Sequence, residues 1–354
     1  MVGCSTAASH AAPSQRAGQD AGAEATDAGD AGNAVHSTPS MVPVALPNGD
    51  PGIGFDDLRY APVIKKVVAP AGRSGNLDLV DPNTLDVTPI SGFSASATFT
   101  AGGHSAGVTS ADEGGGKLFA IDHETQSLRV IDPSTDSMVG MAKLAGAPDY
   151  VRWVESSGEI WVTEPGTGLE VISIGSGATP AHAVTIVVSG GPEGIAVDNT
   201  RGRVYTDSFS GKTYAVDITQ RAVVETWANG CSGLSLGVAL DEARGFVFVA
   251  CQAGSVMVLD VVHGGSKLGE STQGSGLDII SYNSNLHHLY VPGSMSGDLS
   301  ILGISMSGSP TILDTITTVA GSNEVTADEF GNAWVADPAG GRLLKVSDTY
   351  PATP

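Results

Sequence analysis

The chain has 354 residues and a formal net charge of −21, with 47 glycines, 41% hydrophobic residues and 16% charged ones. So acidic a chain lacks the Lys and Arg that displace counterions from a phosphate backbone, which argues against nucleic acid as a partner; most of the carboxylates serve solubility. No window sustains apolar residues at i, i+3, i+4 and i+7, which argues against a helical fold, and no apolar run approaches the ~18 residues of a transmembrane helix.

The chain opens Met1-Val2-Gly3-Cys4 and continues through a stretch of Ala, Gly, Ser, Asp and Thr. The segment AGQDAGAEATDAGDAGNA holds no Ile, Leu, Phe, Tyr or Trp. It buries too little to offset its ordering entropy, so residues 1–40 are expected to be a disordered tether. Small residues before a Cys that heads a long polar tether resemble the end of a bacterial lipobox. That resemblance implies lipidation of Cys4 and contact with a membrane only through the anchor.

From residue 41 a phrase repeats. IWVTEPGTGLEVISI (160–174), VYTDSFSGKTYAVDI (204–218), VFVACQAGSVMVLDV (247–261), LYVPGSMSGDLSILGI (289–304) and AWVADPAGGRLLKVSD (333–348) are each an apolar run, a Gly-containing turn and a second alternating run. The period is about 42–45 residues, that of a four-stranded propeller blade. In the copy that begins at Pro192 the strands fall at 194–197 (A), 203–207 (B), 212–217 (C) and 222–227 (D). Matching A strands begin near Val108, Tyr150, Gly237, Ile279 and Glu324. A further blade upstream takes 53–57 as A, 62–69 as B, 76–81 as C and 86–91 as D. The last blade ends after its C strand near Asp348, and residues 40–46 (SMVPVAL) supply its outer strand. An open ring would leave a long unpaired edge, so closure is expected. The fold class is therefore all-β: a seven-bladed β-propeller over 41–350, with six and eight blades as the alternatives.

The runs IWVTEPGTGLEVISI and LFAIDHETQSLRVID (118–132) resemble the YVTN type of bacterial β-propeller, over roughly residues 50–350. This resemblance implies the fold; propellers host many unrelated activities.

Repetition sorts the carboxylates. Asp112, Asp198, Asp241 and Asp328 all end strand A, where Asn283 and Glu155 stand in two other copies. Asp81, Asp132, Asp217 and Asp260 end strand C. A side chain in such a place bonds turn amides, so these are turn residues. At the opposite end of strand A, on the face where the central funnel opens, stand Asp149, Glu193, Asp278 and Glu324, with Asn323 beside the last. Leu236 and Gly107 occupy the same place in two other blades. Carboxylates crowded at a funnel mouth repel unless a proton or a cation joins them. Oxygen donors of this kind suit calcium or magnesium. The layout looks like the gluconolactonase and paraoxonase propellers, which implies a channel calcium that polarises an ester carbonyl; a water-filled acidic funnel is the alternative.

Gly103-His104-Ser105-Ala106-Gly107 matches G-x-S-x-G, but the strand–turn–helix context of a nucleophile elbow is missing. It lies in a Gly- and Ser-rich insertion (92–107) on the funnel side, which makes His104 a candidate base, with Glu193 the other catalytic candidate. Cys231, in a D–A connection, and Cys251, at the end of the next strand B, fall on the same face. A Cys231–Cys251 disulfide is expected, with two reduced thiols as the alternative; the bridge would stabilise by ~3 kcal/mol and indicate export. Tyr150, Trp153, Trp161 and Tyr205 are expected between blades, and Trp227 at a contact surface.

The sequence thus points to an exported, lipid-anchored, monomeric propeller in the periplasm or at the cell surface. It would bind a small ligand or a protein at the funnel face. A calcium-dependent lactonase or esterase, using Asp149, Glu193, Asp278 and Glu324, and a structural cell-envelope module are the alternatives.

Overall fold

A computed structural model describes residues 38–175 and 177–354. The tether up to residue 37 and Cys4 lie outside the described residues. Those described form strands, turns and loops, with no helix among them.

The strands assemble into seven four-stranded antiparallel sheets. The inner strands, A of blades 1 to 7, are Arg59–Ala61, Val108–Gly114, Val151–Val154, Ile195–Asp198, Ser235–Asp241, Ser281–Asn283 and Val325–Ala327. Each is followed by B, C and D in sequence order, except in blade 7. There Met41–Ala45 takes the outer place and pairs with Arg342–Ser347, from Met41 opposite Val346 to Ala45 opposite Arg342. The ring is closed by the first strand, as expected, and no long edge is left open.

Strand B carries the apolar run of each repeat because both its faces are covered. Glu159–Glu164 and Phe246–Cys251 are buried at every position. The D strands alternate exposed and half-buried residues, as in Ser137–Lys143. Their pairing to strand C slips by one residue at Val130/Ile131, Val171/Ile172, Ala215/Val216, Val258/Leu259 and Ile301/Leu302. A bulge recurring at the periphery increases local twist and spoils the outer edge as a template for another chain.

The core lies between blades. Phe119, Ile121, Leu128 and Val130 of blade 2 pack on Val151, Ile160, Val162 and Ile172 of blade 3. Ile53, Phe55 and Leu58 pack on Trp334, Ala336 and Leu343, which joins blade 1 to blade 7. Each fully buried side chain of this size contributes about 1.5–3 kcal/mol, so every blade depends on its neighbours. Tyr150, Trp161 and Tyr205 are buried as expected. Trp153 stacks on Phe119 of the preceding blade, with ring centroids 5.2 Å apart. Trp227 covers Gly265 and lies 6.1 Å from Tyr205, so it is packing surface between strands rather than a free patch.

Blade 1 departs from expectation. Its A strand is Arg59–Ala61 rather than 53–57, and its B strand is Lys66–Pro70 rather than 62–69. Glu113 of blade 2 is the reason: its carboxylate accepts from the amides of Val63 (2.9 Å) and Ile64 (3.0 Å), holding 62–65 as a turn. Lys65 completes that turn with φ of 55°. Residues 53–57 are instead an extended lead-in, tied to blade 7 by the Ile53 amide on the Pro338 carbonyl (2.8 Å).

Most strand-end carboxylates cap turns as expected. Asp198 accepts from the Arg201 amide (2.8 Å), Asp241 from Arg244 (3.1 Å), Asp328 from Phe330 (2.9 Å), and Asn283 from Asn285 (2.9 Å). At the ends of strand C, Asp81, Asp132, Asp217 and Asp260 accept amides of Asn83, Ser134, Gln220 and Val262. Asp112 and Glu155 differ. Asp112 reaches across to the Trp153 amide of the next blade (2.8 Å), and Glu155 accepts from the Trp153 indole (2.5 Å). Residues 114 to 116 are all glycine, so that turn presents no side chain of its own, and Trp153 lies over Gly114.

Candidate functional site in the funnel mouth

The D–A and B–C connections of all blades open on one face. Asp149 stands two residues before strand A of blade 3, where its amide bonds the Thr163 carbonyl (2.9 Å). Glu193 stands two residues before strand A of blade 4, its amide on the Asp207 carbonyl (2.9 Å). Asp278 and Glu324 hold the corresponding places in blades 6 and 7. Tyr150, Ile195, Ile279 and Val325, one or two residues further on, are buried in the core.

These four carboxylates act on one another. Burial drives the pKa of Asp149 well above the ordinary value, with the charges of Asp56 and Asp278 adding to the effect. Burial, then Asp149, Asp278 and Asp56, push Glu193 up to about 10. At neutral pH Glu193 is therefore a neutral acid, and its hydroxyl donates to Asp149. Asp278 is raised to about 6 by burial and by Asp56, although the Asn323 side-chain amide donates to it at 3.2 Å. Glu324 is fully buried, and both its carboxylate oxygens lack a hydrogen-bond partner; burial, Asp56 and Asp278 hold it well above the carboxylate range. Asn323 and Glu324 thus divide the work: the amide orients Asp278 and the acid stays unsatisfied.

Asp56 and Asp57 were not among the residues picked out by repetition. The extended lead-in of blade 1 sends Ile53 and Phe55 into the core between blades 7 and 1. Gly54 and Asp56 face the other way. There the 92–107 insertion presses so closely that a Cβ on Gly54 would fall 1.8 Å from the Gly103 carbonyl oxygen. This contact sets His104 beside Asp56, with Nδ1 and Oδ1 3.2 Å apart. The hydrogen bond and charge of Asp56 raise the imidazole to about 10. Burial raises Asp56 in turn, and its Oδ2 is buried without a partner. The detectable signal was a pair of adjacent carboxylates inside an otherwise apolar lead-in, GIGFDDL.

Around Gly103–Gly107 the chain is an irregular loop that no strand enters and that runs into the strand at Val108 rather than a helix, so the nucleophile-elbow match carries no elbow geometry. A cleft of about 260 Å³ lies beside the cluster, lined by His104, Gln252, Asp278, Ser294, Met295 and Asn323 among others. The Cys231–Cys251 disulfide is formed, with Cα atoms 5.3 Å apart, and ties a D–A loop to the end of a B strand on this same face.

Next in the chain, Asp57 closes the channel below the mouth. Arg152 of blade 3 donates to it from Nη1 (2.6 Å) and Nη2 (3.1 Å), and Ser110 of blade 2 donates at 2.6 Å. At the A–B end of the channel, a cavity of about 370 Å³ is lined by Arg59, Asp112, Arg152, Trp153 and Tyr282 among others.

No protein-family model matches the chain, and no curated protein sequence is similar to it. Solved structures are similar in fold. A chain of a mitotic checkpoint complex superposes with a TM-score of 0.72 at 12% identity, covering 94% of this chain and 99% of that one. A chain of Kuenenia stuttgartiensis hydrazine synthase gives 0.69 at 14% identity, over 84% and 96%. The Myceliophteria thermophila Cps50 (Swd1) β-propeller domain gives 0.69 at 10% identity, over 85% and 97%. At such identities the likeness establishes the seven-bladed propeller alone.

Proposed function

We propose that the protein is an exported binding module whose funnel mouth holds a cation and whose surrounding loops take the small ligand or protein partner that accompanies it. One observation carries this: Glu324 is fully buried at the mouth with both oxygens unpartnered, within reach of the charges of Asp56 and Asp278. Burying so many acids without donors costs stability, and a cation relieves it. The same face carries exposed apolar side chains on its connecting loops, Val187, Phe209, Leu234 and Met295, which suit a partner surface. Propellers are commonly binding or scaffold modules, and rigid blades with variable loops suit that role. The test is thermal unfolding of the full chain against a panel of divalent ions, polyamines and basic peptides, with and without Glu324→Gln. At least one cation should raise Tm by several degrees, and the substitution should remove most of the rise. A chain indifferent to every cation overturns the reading.

Hydrolysis of a lactone or ester by a calcium-bearing mouth is the second reading, favoured by the His104–Asp56 pair. Neither candidate base is free for it at neutral pH, because His104 holds its proton to about pH 10 and Glu193 is neutral up to about the same pH. A bound cation would have to displace both protons first. Turnover of lactones or esters that requires added calcium would favour this reading over simple binding. A purely structural cell-envelope role would leave the mouth inert to all of these ligands.

The disulfide supports an oxidising compartment, and the context of Cys4 together with the YVTN-like runs supports a lipid anchor in the cell envelope. Mass spectrometry of protein from its native membrane checks the anchor; an unmodified Met1 there removes it.

A further inference from the structure

The reading of the mouth as a cation site leaves the kind of cation open, and the donor set narrows it. Among the described residues, one group of acidic and histidine side chains brings three donors together: Asp56, His104 and Asp149, whose ligand atoms lie within 4.8 Å of one another. Donors bound to one ion at about 2.0–2.1 Å in a tetrahedron stand about 3.3 Å apart. His104 Nδ1 and Asp56 Oδ1 are already 3.2 Å apart, and Asp149 offers a third donor within 4.8 Å of both.

Calcium takes six to eight oxygen donors, and an imidazole nitrogen is not among its usual ligands. Nitrogen beside carboxylate oxygen suits zinc and its neighbours in the first transition row. The cluster is more than a patch of acid, because Asp56 and Glu324 are buried with unpartnered oxygens. Three protein donors leave a four-coordinate ion one further position, and His104 also lines the cleft beside the cluster.

We propose that Asp56, His104 and Asp149 form a binding site for a divalent transition-metal ion of the zinc type. This rests on the cation-taking mouth described above and specifies its occupant.

The experiment uses the full chain, stripped by chelation and titrated with Zn²⁺, Co²⁺ and Ca²⁺. Binding is read by calorimetry, by metal content after dialysis and by the visible d–d absorption of Co²⁺. One equivalent of Zn²⁺ should bind at least tenfold more tightly than Ca²⁺, and Co²⁺ should give a low-symmetry d–d spectrum. His104 is half-exposed on a loop, so His104→Ala should fold normally; it should weaken Zn²⁺ at least tenfold and abolish the Co²⁺ spectrum. Asp149→Asn should do the same, which guards against an effect peculiar to one variant. His263→Ala, removing an exposed histidine paired with Asp260 outside the cluster, should change neither readout. Zn²⁺ binding that survives both His104→Ala and Asp149→Asn places the ion elsewhere and overturns the proposal. Ca²⁺ binding preferred over Zn²⁺ and indifferent to His104→Ala overturns the zinc type but leaves a cation-taking mouth. Failure of every cation overturns both.

Discussion

Asp56 and Asp57 are consecutive and both essentially buried, yet the first opens onto the mouth with one oxygen unpartnered while the second is neutralised by three donated hydrogen bonds. The difference lies in what the neighbouring blades bring. Asp57 meets Arg152, a planar fork with two donors aimed at its two oxygens. Asp56 meets one imidazole and a set of other carboxylates. At the floor of the channel the carboxylate is therefore satisfied, by a network that joins blades 1, 2 and 3 and leaves only the Arg152 Nε unpaired, whereas at the mouth the acids themselves are left unpaired. Completed buried networks rigidify; incomplete ones cost stability and persist where a ligand finishes them.

The largest break in this contrast is Arg152→Met, which removes the charge partner of Asp57 and leaves Ser110 as the side chain that donates to it. Removing one partner of a buried pair costs about 3–5 kcal/mol, and urea unfolding should register a loss of that size. The double variant Arg152→Met with Asp57→Asn should recover most of it, because no uncompensated charge is then left in the floor. A loss below about 1 kcal/mol for the single variant would mean that the floor is no more satisfied than the mouth.

A second probe separates two costs that the mouth combines, burial and crowding. Asp78, on strand C of blade 1 (Asn76–Val80), is fully buried with both oxygens unpartnered, and burial alone raises it to about 7. Its folded-state constant lies above the unfolded value of 3.8, so the folded chain holds a proton that the unfolded chain has lost. That contribution to stability is complete below about pH 4 and disappears as pH rises through 7. Between pH 4.5 and 8, Asp78→Asn should remove a downward slope equivalent to on the order of 2–4 kcal/mol. The measurement is unfolding free energy of both chains at several pH values. Parallel curves would show that Asp78 is solvated in the folded chain.

The two networks were unequally legible in the sequence, for physical reasons. The blades could be read because strand B must be apolar on both faces and is followed by a Gly turn and a second run, as in IWVTEPGTGLEVISI. Asp149, Glu193, Asp278 and Glu324 could be read because repetition gives them one place in the blade. Asp56 could not, because Glu113 of another blade holds 62–65 as a turn and shifts the first inner strand to Arg59–Ala61. The link from Arg152 to Asp57 spans 95 residues, and no local pattern announces it. Asp112 shows the same limit: it stands where others cap their own turn, but a Gly-only turn and the nearby Trp153 amide redirect it.

The smallest effect tests whether repetition separates structural from ligand-facing acids. Asp198 ends strand A of blade 4 at the end opposite the mouth, fully buried but well supplied with donors. The Arg201 amide (2.8 Å) and guanidinium (3.0 Å) and the Tyr205 hydroxyl (3.4 Å) all point at it. Asp198→Asn keeps one acceptor oxygen for the turn amide and loses the charge-assisted part of the remainder. A cost of about 1–2 kcal/mol in urea unfolding follows from the usual worth of such bonds. Its cation-induced rise in Tm should equal that of the unaltered chain, because no mouth residue touches it. Glu324→Gln should show the reverse, with little change in intrinsic stability, since an amide of the same shape replaces a carboxyl that burial pushes toward its neutral form, and a lost cation response. If Asp198→Asn also abolished the cation response, the two ends of strand A would be energetically coupled, and the division between capping and ligand-facing carboxylates would fail.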